Sequence, residues 1–156
     1  MKAGDSIYSQ NLALTCLYPG STELQDRNEA SLVLELEFYN MGTGSCFRAI
    51  FTGDISVETE SFLLEQGILQ EVDLYKAAHH GSKYSNSIEL LTVLSPELAV
   101  VSCSANNLYG HPAKEAIANM RNSGAEVYYT MESGQITVTE NIHRKGLAIK
   151  PFLLLQ

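Results

Sequence analysis

The chain has 156 residues, the length of a single domain that can bury a hydrophobic core. Hydrophobic residues make up 45% and charged residues 18% of it, which is ordinary for a globular protein. The formal net charge of −8 repels a polyanion, so it disfavours nucleic-acid binding unless bound divalent ions reverse the local charge.

Targeting and cysteine patterns exclude further classes. No run approaches the roughly 18 apolar residues that cross a bilayer, and the segment "MKAGDSIYSQN" lacks the apolar core of a signal peptide. We therefore expect no membrane contact, in a chain that is either cytoplasmic or a soluble part of a membrane-associated parent. Cys16, Cys46 and Cys103 lack CxxC spacing, which predicts free thiols, those of Cys16 and Cys103 buried, and neither a disulfide framework nor a structural zinc site.

The first half is predicted to form three strands and a helix. Apolar residues alternate through residues 30–39, which predicts a half-buried strand with its apolar side chains on one face. Two glycines in the loop at 40–45 predict a hairpin into a returning strand. In chain order the elements are a strand at 11–19, a strand at 30–39, a strand at 46–54, and a helix at 56–67 that Ser56 begins and Gly67 ends.

The second half continues the alternation and closes with a hairpin. In chain order the elements are a strand at 72–78, a helix at 85–96, a strand at 98–104, a helix at 111–124 with Pro112 near its first turn, and two strands at 125–130 and 134–140 that form the hairpin. The tail "GLAIKPFLLLQ" is apolar enough to need a partner surface.

Hydrophobic strands separated by helices predict an α/β layered domain, with helices packed against a mixed sheet. Residues 1–156 are predicted to form one domain, with 141–156 as a possible extra C-terminal segment. This class by itself indicates no function.

Three predicted strands end in loops that carry metal-capable side chains. "TGD" presents Asp54, "HHGS" presents His79 and His80, and "SANNLYGHP" presents His111. Sites in open α/β sheets collect at the carboxyl ends of strands, so these loops are expected to converge. Carboxylate oxygen and imidazole nitrogen suit zinc or manganese. Each motif alone also fits a turn, a helix boundary or a surface histidine; their conjunction on one topological edge favours a metal site.

The order of these segments, from "FRAIFTGD" through "VDLYKAAHHGSKYS" to "NLYGHP", resembles the metallo-β-lactamase-like domain of the competence protein ComEC family. The resemblance runs from about Gly4 to about Val138 and implies the αββα metallo-β-lactamase sandwich. The family's main metal-binding signature, HxHxDH, is absent, and the start of the chain aligns with the middle of the family domain. The resemblance therefore implies the C-terminal half only, a mixed sheet with flanking helices that lacks the N-terminal half.

The resemblance also implies roles for the strand-end residues. Asp54 would bridge two metal ions, and His80 would be a further ligand. His79 is either the ligand in its place or a neighbour that faces the substrate, since adjacent residues of an extended segment point to opposite sides. Ser82 and His111 would lie near the substrate, where His111 could stabilise or protonate a leaving oxygen.

Several ligands of a complete site are missing. Asn28 stands where many proteins of this fold place a histidine, and an amide is a poor zinc ligand. Three or four candidate ligands remain for two ions, whereas one catalytic zinc ion typically takes three. We therefore expect zinc or manganese to bind weakly or not at all, and the isolated chain to be inactive. Uncovered sheet edge and apolar surface predict a homo-oligomer, or pairing with the missing half.

Three hypotheses for function follow. The resemblance implies part of a metal-dependent, nuclease-like phosphodiester hydrolase in a parent linked to DNA uptake, with DNA as a substrate. A hydrolase of the same fold that acts on a small phosphodiester would carry the same motifs, and the negative charge favours it. The third hypothesis is a non-catalytic scaffold or interaction module, because HxHxDH is absent. The residues alone indicate only metal-assisted hydrolysis.

Overall fold

The computed structural model describes residues 1–19, 30–140 and 147–152. In these ranges seven strands form one sheet in chain order: β1 (Ser6–Tyr8), β2 (Leu12–Tyr18), β3 (Val33–Tyr39), β4 (Cys46–Phe51), β5 (Leu74–Lys76), β6 (Leu98–Val101) and β7 (Glu126–Tyr129). The helices of the same ranges are α1 (Val57–Gln66), α2 (Ile88–Leu94), α3 (Lys114–Asn122) and α4 (Thr130–Ser133). A separate hairpin pairs β8 (Gln135–Glu140) with β9 (Leu147–Phe152). The predicted mixed α/β architecture is confirmed.

The sheet changes from antiparallel to parallel at β4. Strands β1 to β4 pair antiparallel, and the predicted hairpin joins β3 to β4 with Phe38 opposite Phe47. Strands β4 to β7 pair parallel, because α1, α2 and α3 lie between them in the chain and carry it back across the sheet. The carboxyl ends of β4, β5 and β6 therefore open at one edge.

Helices α1, α2 and α3 cover one face of the sheet and form the core with it. Ile50, Tyr75 and Ala99 are matched across the parallel strands, and all three are buried against the helices. The helices contribute fully buried side chains: Leu63 from α1, Leu90, Leu91 and Leu94 from α2, and Met120 from α3. Each such side chain stabilises the fold by about 1.5–3 kcal/mol relative to an exposed one.

The apolar residues that alternate in β3 share the other face. Leu34 pairs with Phe51, Leu36 with Ala49 and Phe38 with Phe47. The β3 members of these pairs are only partly buried and Phe51 is 38% exposed. Val33 points to the helix side and is fully buried there. The prediction of a shared face is confirmed, but that face is opposite the helices.

The predicted C-terminal hairpin is wrong. The crossover through α3 places β7 parallel to β6, α4 follows β7, and β8 pairs with β9 instead. Residues 147–152 of the tail therefore pair with β8. Residues 153–156 lie outside the described ranges. Pro112 precedes α3, which begins at Lys114. The three cysteines are free thiols as predicted, but Cys103 is only half-buried where burial was expected. Within residues 1–19, 30–140 and 147–152, no helix has the length and apolar character to cross a bilayer.

Candidate metal centre

Three loops meet at the carboxyl edge of the parallel strands. Asp54 follows β4, His79 and His80 follow β5, and His111 lies in the loop after β6. Because these strands are parallel neighbours, their C-terminal loops are adjacent. The imidazole ring of His79 lies between the other two, with centroid distances of 6.5 Å to His80 and 5.5 Å to His111. The structure therefore brings together the four metal-capable side chains that sequence reasoning selected.

The turn that carries Asp54 requires glycine beside it. Gly53 has a φ of 58°, and a Cβ atom there would lie 2.8 Å from the Cβ of Ser31. The hydroxyl of Ser31 accepts a hydrogen bond from the backbone N–H of Asp54 at 3.1 Å. The carbonyl of Gly53 accepts from the N–H of His79 at 2.9 Å. The Asp54 loop and the histidine loop are thus fixed to each other through their backbones.

The two adjacent histidines lie in a tight turn, Ala78–Gly81, which we call the histidine turn. Strand β5 ends at Lys76, and His79 and His80 have left-handed φ values of 45° and 56°. The prediction of an extended segment there is wrong. A left-handed conformation costs an L-residue about 1–2 kcal/mol, so the surrounding structure must hold this turn. The two rings still diverge, at an interplanar angle of 70°.

Asn86 holds the histidine turn. Its side chain is fully buried, and Oδ1 accepts from the Ala78 N–H at 3.0 Å and from the Tyr75 hydroxyl at 2.8 Å. Its Nδ2 donates to the carbonyls of Ala78 and Ser82, both at 3.2 Å. All four hydrogen-bonding positions of the amide are therefore used, and three of them are on the backbone around the two histidines.

Glu60 of α1 anchors Asn86 in turn. Its carboxylate is fully buried and accepts the N–H of Asn86 at 2.5 Å and the N–H of Ser87 at 2.9 Å. Burial raises the pKa of Glu60, while the hydrogen bonds from Ser87 and Asn86 oppose that shift. Sequence reasoning missed Glu60, Asn86 and Tyr75. Two signals were available in the sequence. Glu60 is an acid three residues before Leu63 on the buried side of α1, and Tyr75 is a tyrosine within an apolar strand.

His80 and Asp54 face each other across the site. Nδ1 of His80 lies 2.7 Å from the carbonyl oxygen of Ser102, and since a carbonyl can only accept, Nδ1 carries the proton. Nε2 of His80, the other ring nitrogen, lies 3.9 Å from Oδ1 of Asp54. An imidazole nitrogen and a carboxylate oxygen at that separation, in side chains that are about half exposed, are two ligand atoms that could approach one cation.

His111 completes the row of rings. Its Nδ1 is buried and, among the residues that the structure describes, has no hydrogen-bond partner. Burial lowers the pKa of His111, the neighbouring His79 and His80 lower it further, and Asp54 opposes them. At neutral pH His111 is therefore a neutral imidazole.

Ser82 and Lys76 flank the site differently. Ser82 is 1% exposed, and its hydroxyl accepts from the Tyr84 N–H at 3.2 Å, so its observed contacts belong to the turn. A catalytic role for Ser82 stays a prediction.

Lys76 also lies near the site, although sequence reasoning did not select it. Its Nζ donates to the Ala77 carbonyl at 2.9 Å. Burial lowers the pKa of Lys76, and the nearby Asp54 opposes this.

The loop before α3 walls a cavity of about 390 Å³ beside the histidines. The cavity is lined by His80, Ser102, Cys103, Ser104, Asn107, Tyr109 and His111. Gly81 of the histidine turn packs against Pro112 at the end of this loop, since a Cβ atom on Gly81 would lie 2.7 Å from that of Pro112. The "HHGS" and "GHP" motifs are therefore in direct contact.

The described residues do not by themselves form a set of ligands for an ion. In the described part of the chain, no group of three or more His, Cys, Asp or Glu side chains is arranged to hold an ion. Asp54 and His80 supply two converging donors, where one catalytic zinc ion typically takes three. Asn28, the remaining candidate position, lies outside the described residues.

Two curated proteins are similar in sequence to most of this chain. Over 136 residues, 87% of the chain, it is 30% identical to ComE operon protein 3 of Bacillus subtilis and 27% identical to Recombination protein 2 of Haemophilus influenzae. The aligned part is 17% and 16% of those proteins, so the chain spans less than a fifth of the length of either. No family model matches the chain.

Proposed function

We propose that this chain is the C-terminal half of a metallo-β-lactamase-like domain that hydrolyses phosphodiesters with the help of metal ions, in a protein of competence and DNA uptake. The observation that carries the proposal is the facing pair of side chains, with Nε2 of His80 3.9 Å from Oδ1 of Asp54, beyond the ends of adjacent parallel strands. The similarity to ComE operon protein 3 and Recombination protein 2 supports the biological role.

Asp54 and His80 would hold the ion in this proposal. The Ser102 carbonyl fixes the ring of His80 through Nδ1, the outer contact that ligating histidines commonly make. The other ring pair, His79 and His111, would face the substrate. The ions themselves would activate water and brace the phosphoryl oxygens. Because His111 is neutral at pH 7, it would stabilise a leaving oxygen by donating an N–H hydrogen bond.

The remaining ligands would come from a second polypeptide segment. Two donors from this chain leave each ion short of ligands, which is why the isolated chain would be inactive. The partly exposed apolar face of β3 and β4, with Leu34, Leu36 and Phe51, offers the surface on which the other half of an αββα sandwich, or a second copy, would pack.

Zinc titration of the purified chain and of matched variants tests the ligand assignment. We expect weak binding that falls about tenfold or more in Asp54→Ala and in His80→Ala, since even outer contacts of a metal site change affinity by that much. Glu71→Ala is the control, because exposed Glu71 precedes β5 at the opposite edge of the sheet. Equal binding by all four proteins would refute the assignment. Tight stoichiometric zinc lost only in Asp54→Ala would mean that a site assembles without the other half.

The substrate class needs a separate assay. Single-stranded DNA and a chromogenic small phosphodiester should be offered to this chain after reconstitution with an N-terminal half of the same fold. The net charge of −8 favours the small substrate, whereas the similarity to the two curated proteins favours DNA. Hydrolysis of neither substrate by a complex that contains bound metal would leave the scaffold hypothesis, which the lack of a three-ligand group among the described residues favours.

A further inference from the structure

The tip of the loop between β6 and α3 displays two apolar side chains to solvent. Leu108 is 99% and Tyr109 is 83% exposed, the highest values among the large apolar residues of the described ranges. An aromatic ring left in water loses the stabilisation that burial would give it. Aromatic side chains in such positions commonly serve recognition, because they offer a large flat contact surface with few rotatable bonds.

Asn107 fixes this tip in one conformation. Its Nδ2 donates to the carbonyls of Ser104 and His111 at 2.7 and 2.6 Å, and its Oδ1 accepts from the N–H groups of Tyr109 and His111 at 3.2 and 2.9 Å. The four bonds close the loop on itself on both sides of Tyr109. Tyr109 is therefore exposed on an ordered loop, and a ligand would bind without the entropy cost of ordering that loop.

The ring of Tyr109 continues the row of imidazoles outward from the candidate metal centre. It is stacked on His111, with ring centroids 5.9 Å apart and an interplanar angle of 18°, and His111 in turn meets His79. Tyr109 and His80 line the same cavity of about 390 Å³. A ligand in this cavity would have a polar end at His80 and a flat end at Tyr109.

We infer that Tyr109 is a stacking platform for an unpaired base of a single-stranded nucleic acid, whose phosphate lies at the His80 end of the cavity. The inference deepens the proposed function and rests on it. A base must be unpaired to offer its face to a side chain. Stacking on aromatic rings tolerates any base, and it supplies affinity that a chain with a net charge of −8 cannot draw from phosphate contacts.

Binding measured in chelator, where no hydrolysis occurs, tests the platform separately from the catalytic proposal. The probes are a short oligothymidylate and an abasic oligomer with the same number of phosphates, titrated into the chain and followed by two-dimensional NMR. We expect the oligothymidylate to bind more tightly than the abasic oligomer. Tyr109→Ala should weaken it about tenfold and Tyr109→Phe should leave it unchanged. Tyr8→Ala is the matched control, because Tyr8 is 74% exposed on β1, the edge strand far from β6.

The outcomes separate the two proposals. Selective binding that depends on Tyr109, in a protein whose reconstituted form hydrolyses no phosphodiester, would support the platform and refute the catalytic function. Equal affinity for both oligomers, an unchanged affinity in Tyr109→Ala, or no binding up to about 1 mM would overturn the platform even if hydrolysis is found. So would a change in oligomeric state in Tyr109→Ala without a change in oligonucleotide affinity, since the tip would then serve contact between copies.

Discussion

Replacing Asn86 should release the histidine turn. Asn86→Ala removes four buried hydrogen bonds, two accepted by Oδ1 and two donated by Nδ2. At a net value of about 1 kcal/mol per bond, and with polar backbone groups of Ala78 and Ser82 left without this partner, the loss is about 3–5 kcal/mol. Asn86 also has a φ of 65°, which adds about 1 kcal/mol for alanine. Domains of this size are stable by only about 5–15 kcal/mol, so the effect is large.

Urea unfolding of three variants separates these contributions. Asn86→Gly deletes the same bonds but tolerates the left-handed φ, so it should be about 1 kcal/mol more stable than Asn86→Ala. Asn106→Ala, at an exposed position, should stay within about 0.5 kcal/mol of the parent. The imidazole resonances of His79 and His80 should shift in both Asn86 variants. The reasoning is refuted if Asn86→Ala costs less than about 1 kcal/mol, or if it destabilises the fold while those resonances stay in place.

Three further variants, of which Gly110→Ala is a control, test the contacts around the turn. Gly81→Ala should lower the unfolding free energy by about 2–4 kcal/mol, because the φ of residue 81 is 80° and the new Cβ would clash with that of Pro112. Gly110→Ala, with a φ of 71° and open space around it, should lower it by only about 1 kcal/mol. Equal melting temperatures of the two variants would contradict the clash. Because the pKa of Glu60 is raised, the folded chain binds this proton more tightly than the unfolded chain does. Protonated Glu60 therefore stabilises the fold at pH values below the unfolded-state pKa, and this stabilisation is lost as pH rises through the folded-state pKa. The unfolding free energy of the parent minus that of Glu60→Gln should therefore fall as pH rises above about 4.5. A pH-independent difference in urea unfolding would show that Glu60 does not titrate in this way.

The sequence was informative where the signal is local. Glycines and alternating apolar residues predict the β3–β4 hairpin, and Ser56 and Gly67 bound α1 as expected, although the Ser56 hydroxyl bonds to Glu58 and does not cap the helix. The strand-end positions of Asp54, His79, His80 and His111 were sufficient to predict that they converge, because parallel neighbours share an edge.

Other features depend on contacts that no local pattern reveals. The left-handed histidine turn is maintained by Asn86 and, through it, by Glu60, which is 26 residues earlier in the chain. The pairing partner of a short strand is also ambiguous in the sequence. The residues of β7 are compatible with an antiparallel hairpin with β8 and with parallel pairing to β6 after a crossover. The crossover forms because α3 returns the chain to the far side of β6, in the same direction as the two crossovers before it.

The split of the sheet at β4 has a consequence for folding order. Strands β1 to β4 pair through short or nearby connections, whereas β5 and β6 join only after the chain has closed crossovers around α1 and α2. Asp54 stands at the end of the antiparallel part, and His80 follows the first strand that is added through a crossover. We therefore expect that an ion that needs both ligands binds only after the first crossover has closed, and so does not nucleate folding. Bound metal would then slow unfolding while leaving the rate of folding unchanged.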